Sequence, residues 1–331
     1  MHFTGNAEVQ FAIDAVRQAA ILAREIEREM VDPALTKDDK SPVTVADFAV
    51  QALIGCMLSK AFPNAVLVAE EGSAPLRDPS AELMLRRVAG FVGRRLAYAT
   101  AGTVCSWVDL GDAEPGGRFW TLDPIDGTKG FLRGDQYAVA LALVDDGEVQ
   151  IGVLGCPNLV DASRPVPAGE GSLVVALRGQ GSWVTSLESE KPYMPLRVSG
   201  IDDPAHARIL RSFESGHTNA GLMGDLRGTL GAKADPVLMD SQAKYGVLAA
   251  GAGDILFRLL SPKQPDYREK IWDQAAGSIV VEEAGGRITD LRGRPLDFTE
   301  GRTLANNRGI LATNGRLHDL ALEVLSRFGQ T

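Results

Sequence analysis

Apolar positions near the start of the chain recur at helical spacing. Val9, Ile13, Val16 and Ala20 fall on one stripe with arginines and glutamates elsewhere, and Asn6 stands where an N-cap belongs. The pattern predicts a helix from Asn6 to about Met30. Residues 32–41 are polar and charged and predict a mobile loop. After Ser41-Pro42-Val43-Thr44 the stripe returns as Val50, Leu53, Ile54, Met57 and Leu58, a second helix to about Ala61 with Asp47 in its first turn. Pro63-Asn64 turns the chain into a short apolar strand, Val66–Ala69, which ends in Glu70-Glu71-Gly72-Ser73. Leu83, Leu85, Val88, Phe91 and Val92 mark a helical stretch and loop within residues 78–105. A Gly- and acid-rich loop follows, from Gly111 to Arg118.

Phe119 to Leu122 alternates like the end of a strand, and Pro124 predicts that the strand stops there. Gly127 permits a tight turn, and Thr128 begins a short helix. Ala138–Val144 and Val149–Gly155 read as strands joined by the turn Asp145-Asp146-Gly147. Leu173–Leu177 and Gly181–Val184 read as a second hairpin. The first half thus predicts helices packed on an antiparallel sheet. Beyond Pro192–Gly200 the pattern changes. A strand at Ala207–Ser212, a helical region at Ser241–Gly253 and a strand at Ile255–Leu259 come first. A helix opening at Ile271 and broken by Gly285-Gly286, strands at Arg287–Thr289 and Ile310–Ala312, and a helix from Leu317 to Phe328 follow. Alternating helices and strands predict α/β layering. The boundary divides an N-terminal α+β domain, residues 1–198, from a C-terminal α/β domain, residues 199–331.

Composition narrows the partners. A net charge of −9 over 331 residues argues against nucleic-acid polymers or anionic membranes. No apolar run approaches the roughly 20 residues that span a bilayer, and the N-terminal residues lack a signal pattern. Cys56, Cys105 and Cys156 are scattered, without metal spacing, and read as reduced thiols of a cytoplasmic protein.

The candidate chemistry centres on Trp120-Thr-Leu-Asp123-Pro-Ile125-Asp126-Gly127-Thr128. Two carboxylates on a turn can bind hard cations, and a fresh helix N-terminus can receive a phosphate. A lone Asp-x-x-Asp would more often be an acidic turn with a capped helix. Asp123-Pro-Ile-Asp-Gly-Thr128, however, resembles the signature of the inositol monophosphatase superfamily of Mg²⁺-dependent, Li⁺-sensitive phosphatases. Its continuation, Lys129-Gly-Phe-Leu-Arg-Gly-Asp-Gln-Tyr-Ala138, resembles the branch of 3'(2'),5'-bisphosphate nucleotidases. Three more segments resemble superfamily motifs: Lys37-x-x-x-Ser41-Pro-Val-Thr-x-x-Asp47, the Glu70-Glu71 segment, and Trp272-Asp273-x-Ala-x-Gly277 with Glu283-Ala-Gly-Gly286. In the second, Ala69 and Gly72 stand where the family has glycine and serine. Taken alone, Asp47 would read as a helix-dipole partner, and the paired glutamates as solvated.

The resemblance implies a layered αβαβα sandwich of the inositol-monophosphatase type, and a site holding two or three Mg²⁺ ions. Glu70, Asp123 and the Ile125 carbonyl would hold one metal. Asp123, Asp126 and Asp273 would hold a second, with Asp123 bridging. Asp47 and Thr128 would orient the attacking water with help from Glu70, and the Gly127 and Thr128 amides would face the phosphate. In the second half, Met239-Asp-Ser-Gln-Ala-Lys-Tyr245 matches the nucleotidase branch. It implies that Ser241, Lys244 and Arg258 bind a 5'-phosphate, with His217 near the sugar or base and Asp126 and Asp273 beside the substrate. A lone histidine is more often structural, and Arg258 could equally be an ion-paired surface residue. The implied activity is removal of the 3'-phosphate from adenosine 3',5'-bisphosphate by a monomer or homodimer, with 3'-phosphoadenylyl sulfate left open as a second substrate. An inositol or sugar phosphatase of the same superfamily and a catalytically silent nucleotide-binding regulator are the alternatives.

Overall fold

Asn6 caps the first helix as its place in the sequence suggests. Its Oδ1 accepts from the backbone N–H groups of Glu8 (3.0 Å) and Val9 (3.2 Å). The structure, a computed structural model, describes residues 5–30, 41–212, 220–260 and 263–329. Lys37, Phe213, His217 and the loop expected at 32–41, Ser41 apart, lie outside the described residues.

The first half contains α1 (Ala7–Met30), α2 (Ser41–Ala61), β1 (Leu67–Ala69), α3 (Glu82–Gly93), α4 (Ala101–Val108), β2 (Arg118–Asp126) and α5 (Thr128–Arg133). It continues with β3 (Ala138–Asp145), β4 (Glu148–Cys156), β5 (Leu159–Val160), β6 (Arg164–Pro165), β7 (Ser172–Leu177), β8 (Gly181–Ser186) and β9 (Met194–Pro195). The second half contains β10 (Ile209–Arg211), α6 (Ala220–Leu230), β11 (Val237–Leu238), α7 (Ala243–Ala249) and β12 (Ile255–Arg258). It ends with α8 (Ala275–Glu283), β13 (Arg287–Thr289), β14 (Ile310–Thr313) and α9 (His318–Arg327).

Among the described residues a seven-stranded sheet runs β1-β2-β3-β4-β7-β8-β9, and a five-stranded sheet runs β11-β10-β12-β14-β13. The first sheet is antiparallel except that β1 lies parallel to β2. The exception follows from the crossover through α3 and α4, which returns the chain in the same direction.

Strand alternation sorts side chains onto two faces. Val139, Leu141, Leu143 and Val153 join the core with α1 and α2. Ala138, Ala140, Ala142 and Leu154 face the other way, toward α7 and α8. The small residues on this second face let α8 approach closely. A Cβ on Gly152 would lie 2.4 Å from Ile279 Cγ2 and 2.8 Å from the Ala276 carbonyl. Leu210, Leu256, Ile310 and Ala312 of the second sheet share that core. Their neighbours Ile209, Ile255, Phe257 and Leu311 pack with Met223 and Leu226 of α6 and Val324 of α9. The layers are therefore α1/α2, sheet, α7/α8, sheet, α6/α9, the αβαβα sandwich that the sequence led us to expect. Residues Thr44–Ala61 of α2 are long and apolar enough to cross a membrane, but 72% of that window is buried inside the fold, as suits a core helix.

Several boundaries differ from expectation. Because α2 begins at Ser41, its first turn holds no acidic residue, and Asp47 lies a turn deeper. Strand β2 continues through Pro124 to Asp126, with an irregularity in its pairing to β3 between Asp123 and Asp126. A proline lacking its N–H is tolerated at such a break. Helix α8 starts at Ala275, which leaves Trp272 and Asp273 on the preceding turn. Helix α7 is shorter than the expected Ser241–Gly253, because Ser241 sits at φ +61°, outside the helical region. The stretch 78–105 divides into α3 and α4, the latter opened by a Thr100–Thr103 capping box. Helix α6 and strands β9 and β11 carry too little apolar periodicity to have been recognised.

Candidate active site

Strands β1 and β2 run in parallel register, with Ala69 opposite Leu122. The next residue of each, Glu70 and Asp123, therefore leaves the sheet at the same end. The break in β2 then carries the chain past Ile125, whose side chain is buried in the core, to Asp126. Asp47 comes from α2, which packs against β2. Asp273 comes from the turn ahead of α8, on the opposite face of the sheet.

Electrostatics show that these carboxylates share one region. Burial raises Asp123 well above the ordinary carboxylate range, and the charges of Asp126, Glu70, Asp273 and Asp47 add to it. Asp47 is raised by burial, then by Glu71 and Glu70. Asp273 is raised by burial, against the pull of Arg258 and with the push of Asp126, Glu269 and Glu70. Asp126 is raised by burial, opposed by Lys244, Arg258 and the Gln242 N–H, which donates to its Oδ2 at 2.6 Å. Glu70 stands at the open edge of the group, yet the protein around it, with Glu71 and Asp126, still lifts its carboxyl to about 7. Five acids this close resist ionising together. Moreover, the buried Asp123 Oδ1 has no hydrogen-bond donor, which is costly for an anionic oxygen.

That arrangement fits a hard cation. The donors are all oxygens, the charge is in excess, and one buried oxygen is unsatisfied. Among the described residues no three acidic side chains stand together as a finished cage. Mg²⁺ does not need one, because it keeps several waters and completes its coordination with substrate phosphate oxygens.

Three cations border the acids: Lys270 acts on Glu70, and Lys244 and Arg258 lie on the Asp126 and Asp273 side. The Lys244 side chain is buried, and burial together with Arg258 pulls its ammonium down to about 8, against the opposing effect of Asp126, Asp240 and Glu269. Its Nζ donates to Ser212 Oγ at 3.3 Å. Arg258 lies 2.7 Å from Glu269 and 3.7 Å from Asp273, so it is ion-paired within the site and not on the outer surface. Ser241 meets the phosphate-motif turn directly. A Cβ on Gly127 would lie 2.8 Å from Ser241 Cβ, and Gly127 itself holds φ +94° as the N-cap of α5. Thr128, the first residue of α5, is exposed.

Three polar residues that hold this site together were not singled out from the sequence. Buried Gln242 donates from Nε2 to the Trp272 carbonyl (3.0 Å) and accepts from the Gly277 N–H at Oε1 (3.1 Å), joining Asp126 to the Asp273 turn. Gln51, fully buried on α2, accepts from the Glu71 N–H (3.0 Å) and donates to the carbonyls of Glu71 and Val108. Its spacing from Asp47 on one helix face and its place among apolar neighbours were readable signals. Arg133 pairs with Asp240 and Asp135 beside Lys244; it lies in the 129–138 segment that carries the nucleotidase resemblance, though its role there was not read.

The fold and the acidic centre together define an αβαβα sandwich protein with an all-oxygen site suited to hard cations. The chain belongs to the inositol monophosphatase family, whose family model matches residues 6–330. It is 41% identical over 337 residues to the 3'(2'),5'-bisphosphate nucleotidase of Schizosaccharomyces pombe, covering 96% of this chain and 94% of that protein. The corresponding Oryza sativa protein is 44% identical over 330 residues, covering 94% and 91%. Among solved structures, the Thermotoga maritima IMPase superposes with a TM-score of 0.64 at 23% identity over 97% of both chains. Mycobacterium tuberculosis SuhB gives 0.63 at 20% identity over 97% and 96%. These similarities establish the fold.

Proposed function

We propose that this protein is a Mg²⁺-dependent phosphomonoesterase that hydrolyses the 3'-phosphate of adenosine 3',5'-bisphosphate to AMP and phosphate. One observation carries the choice of substrate. Two cations, Lys244 and Arg258, flank the Asp126 and Asp273 side of the acidic centre. Hydrolysing one phosphate on metal ions needs no such pair, whereas holding a second, remote phosphate does. The names of the relatives point the same way.

In this reading Glu70, Asp123, the Ile125 carbonyl, Asp126 and Asp273 hold the cations. When bound, Mg²⁺ neutralises the phosphate and acidifies water. The residues of the chain do the positioning. Asp47 and Thr128 orient the attacking water. The amides of Gly127 and Thr128 bind the phosphate oxygens at the start of α5, where first-turn N–H groups have no helical partner. The P–O3' bond breaks as the water oxygen bonds to phosphorus, and the ribose oxygen leaves with a proton. Ser241, Lys244 and Arg258 hold the 5'-phosphate. The substrate is thus a small molecule.

Chromatography of the products tests this directly. Incubation with adenosine 3',5'-bisphosphate and Mg²⁺ should give AMP. Adenosine 3'-monophosphate as the product would mean that the 5'-phosphate, not the 3'-phosphate, reaches the acids.

A further inference from the structure

Arg302 lies on the segment between β13 and β14, far in sequence from every motif above. Its backbone is tied to the residues just ahead of Asp273. The Ile271 N–H donates to the Arg302 carbonyl (3.3 Å), and the Leu304 N–H donates to the Glu269 carbonyl (2.9 Å). Lys270 and Thr303 form an antiparallel bridge. The side chain then crosses to the first half of the protein. Nη1 donates to the carbonyls of Gly111 (3.2 Å) and Ala113 (3.0 Å), and Nη2 donates to the carbonyl of Ala69. The guanidinium also lies over the Trp272 ring, 5.0 Å from its centroid.

Two of these contacts sit next to candidate ligands. The Ala69 carbonyl belongs to the peptide that leads into Glu70, and Trp272 precedes Asp273. A single guanidinium therefore touches both segments, the first through its donors and the second through its flat face on the Trp272 ring. Its acceptors are neutral carbonyls, although the neighbourhood is rich in carboxylates, so its bonds fix geometry without neutralising an anion. Arginine suits this task because its donors are rigidly arranged and its flat face stacks on an indole.

We propose that Arg302 is a positioning residue that sets the separation of Glu70 from Asp273, and with it the affinity of the acidic centre for its cations. The inference rests on reading that centre as a cation site. The sign of the effect separates positioning from simple charge. A fixed positive charge repels a bound cation, so on electrostatics alone Arg302→Met would tighten Mg²⁺ binding and Arg302→Lys would leave it unchanged. If the fork sets the geometry, both substitutions weaken binding, because lysine retains the charge but loses the paired donors and the flat face. Outer partners of metal ligands typically contribute 10- to 100-fold to affinity.

The experiment is calorimetric titration of Mg²⁺ into the full chain without substrate, on the native protein and both variants, with thermal melts in chelator alongside. The expected result is Mg²⁺ binding about 10- to 100-fold weaker in Arg302→Met, and Arg302→Lys within a few-fold of it. If Arg302→Met is unfolded at the assay temperature, Arg302→Lys decides the matter by the same criterion. Unchanged or tighter binding in the folded variants overturns the proposal, even if their melting temperatures fall. Absence of Mg²⁺ binding by the native protein overturns the reading of the acidic centre and the role of Arg302 with it.

Discussion

Lys244→Met removes the cation assigned to the 5'-phosphate while nearly keeping the length of the side chain. Lys244 is 5% exposed, and its ammonium is held at about 8 by burial and by Arg258, so at pH 7 about nine-tenths of it is charged. A hydrogen bond to a charged group contributes roughly 1.5–3 kcal/mol, and about 1.4 kcal/mol corresponds to a factor of ten. The kcat/KM for adenosine 3',5'-bisphosphate should therefore fall about 10- to 100-fold. Asp126 also loses one of its two counter-cations, which lowers the rate for any substrate by a common factor. Measuring adenosine 3'-monophosphate in parallel removes that factor, since the ratio of the two substrates isolates the contact to the 5'-phosphate. The native preference for the bisphosphate should also decline above pH 8 as Lys244 deprotonates, by about tenfold at pH 9. In Lys244→Met the preference should be small and flat over that range. An equal loss on both substrates, or a native preference unchanged from pH 7 to pH 9, would refute the assignment of Lys244.

Asp123→Asn should reduce phosphate release by about a thousandfold or more, since the cation stabilisation it anchors is worth several kcal/mol. The same change should raise the melting temperature in chelator, because it replaces a buried carboxyl whose ionisation burial and four other acids oppose; a lower melting temperature would count against that picture. Gly277→Ala should destabilise the fold by about 1–3 kcal/mol or more in urea titration, because the new Cβ would lie 2.0 Å from the Tyr245 ring. His318 is fully buried between Thr289 and Thr313, and burial lowers its imidazole from 6.5 to about 4. Between those values the unfolded chain binds the proton and the folded one does not. His318 therefore adds stability above pH 6.5, and about 3 kcal/mol is lost as the pH falls through 4. Urea midpoints from pH 7 to pH 4 should show that loss in the native protein and not in His318→Gln.

Where the apolar period was strong, the elements could be read from the sequence. Helices α1 and α2 and the hairpin of β3 and β4 reflect local rules of stripe, alternation and turn. The candidate carboxylates were readable one motif at a time, but their convergence was not. It depends on the parallel register of β1 with β2 and on α8 reaching the opposite face of the sheet across Gly152. The residues that hold the acids in place were least visible. Arg302 meets Ala69 across 233 positions, and Gln51 meets Val108 across 57. Such contacts leave no local period. The start of α2 differs for a related reason. The stripe places the helix start after Thr44, whereas the helix extends back to Ser41, which takes Asp47 out of its first turn.

The central claim is that the acidic centre, loaded with Mg²⁺ and flanked by Lys244 and Arg258, cleaves a 3'-phosphate from a nucleoside bisphosphate. The most direct measurement is phosphate release from adenosine 3',5'-bisphosphate, myo-inositol 1-phosphate and adenosine 3'-monophosphate, each with Mg²⁺ and with excess chelator. The account predicts fast release from the bisphosphate with AMP as the product, slow release from the other two, and none in chelator. Equal or greater activity on inositol phosphate, or full activity in chelator, would contradict it.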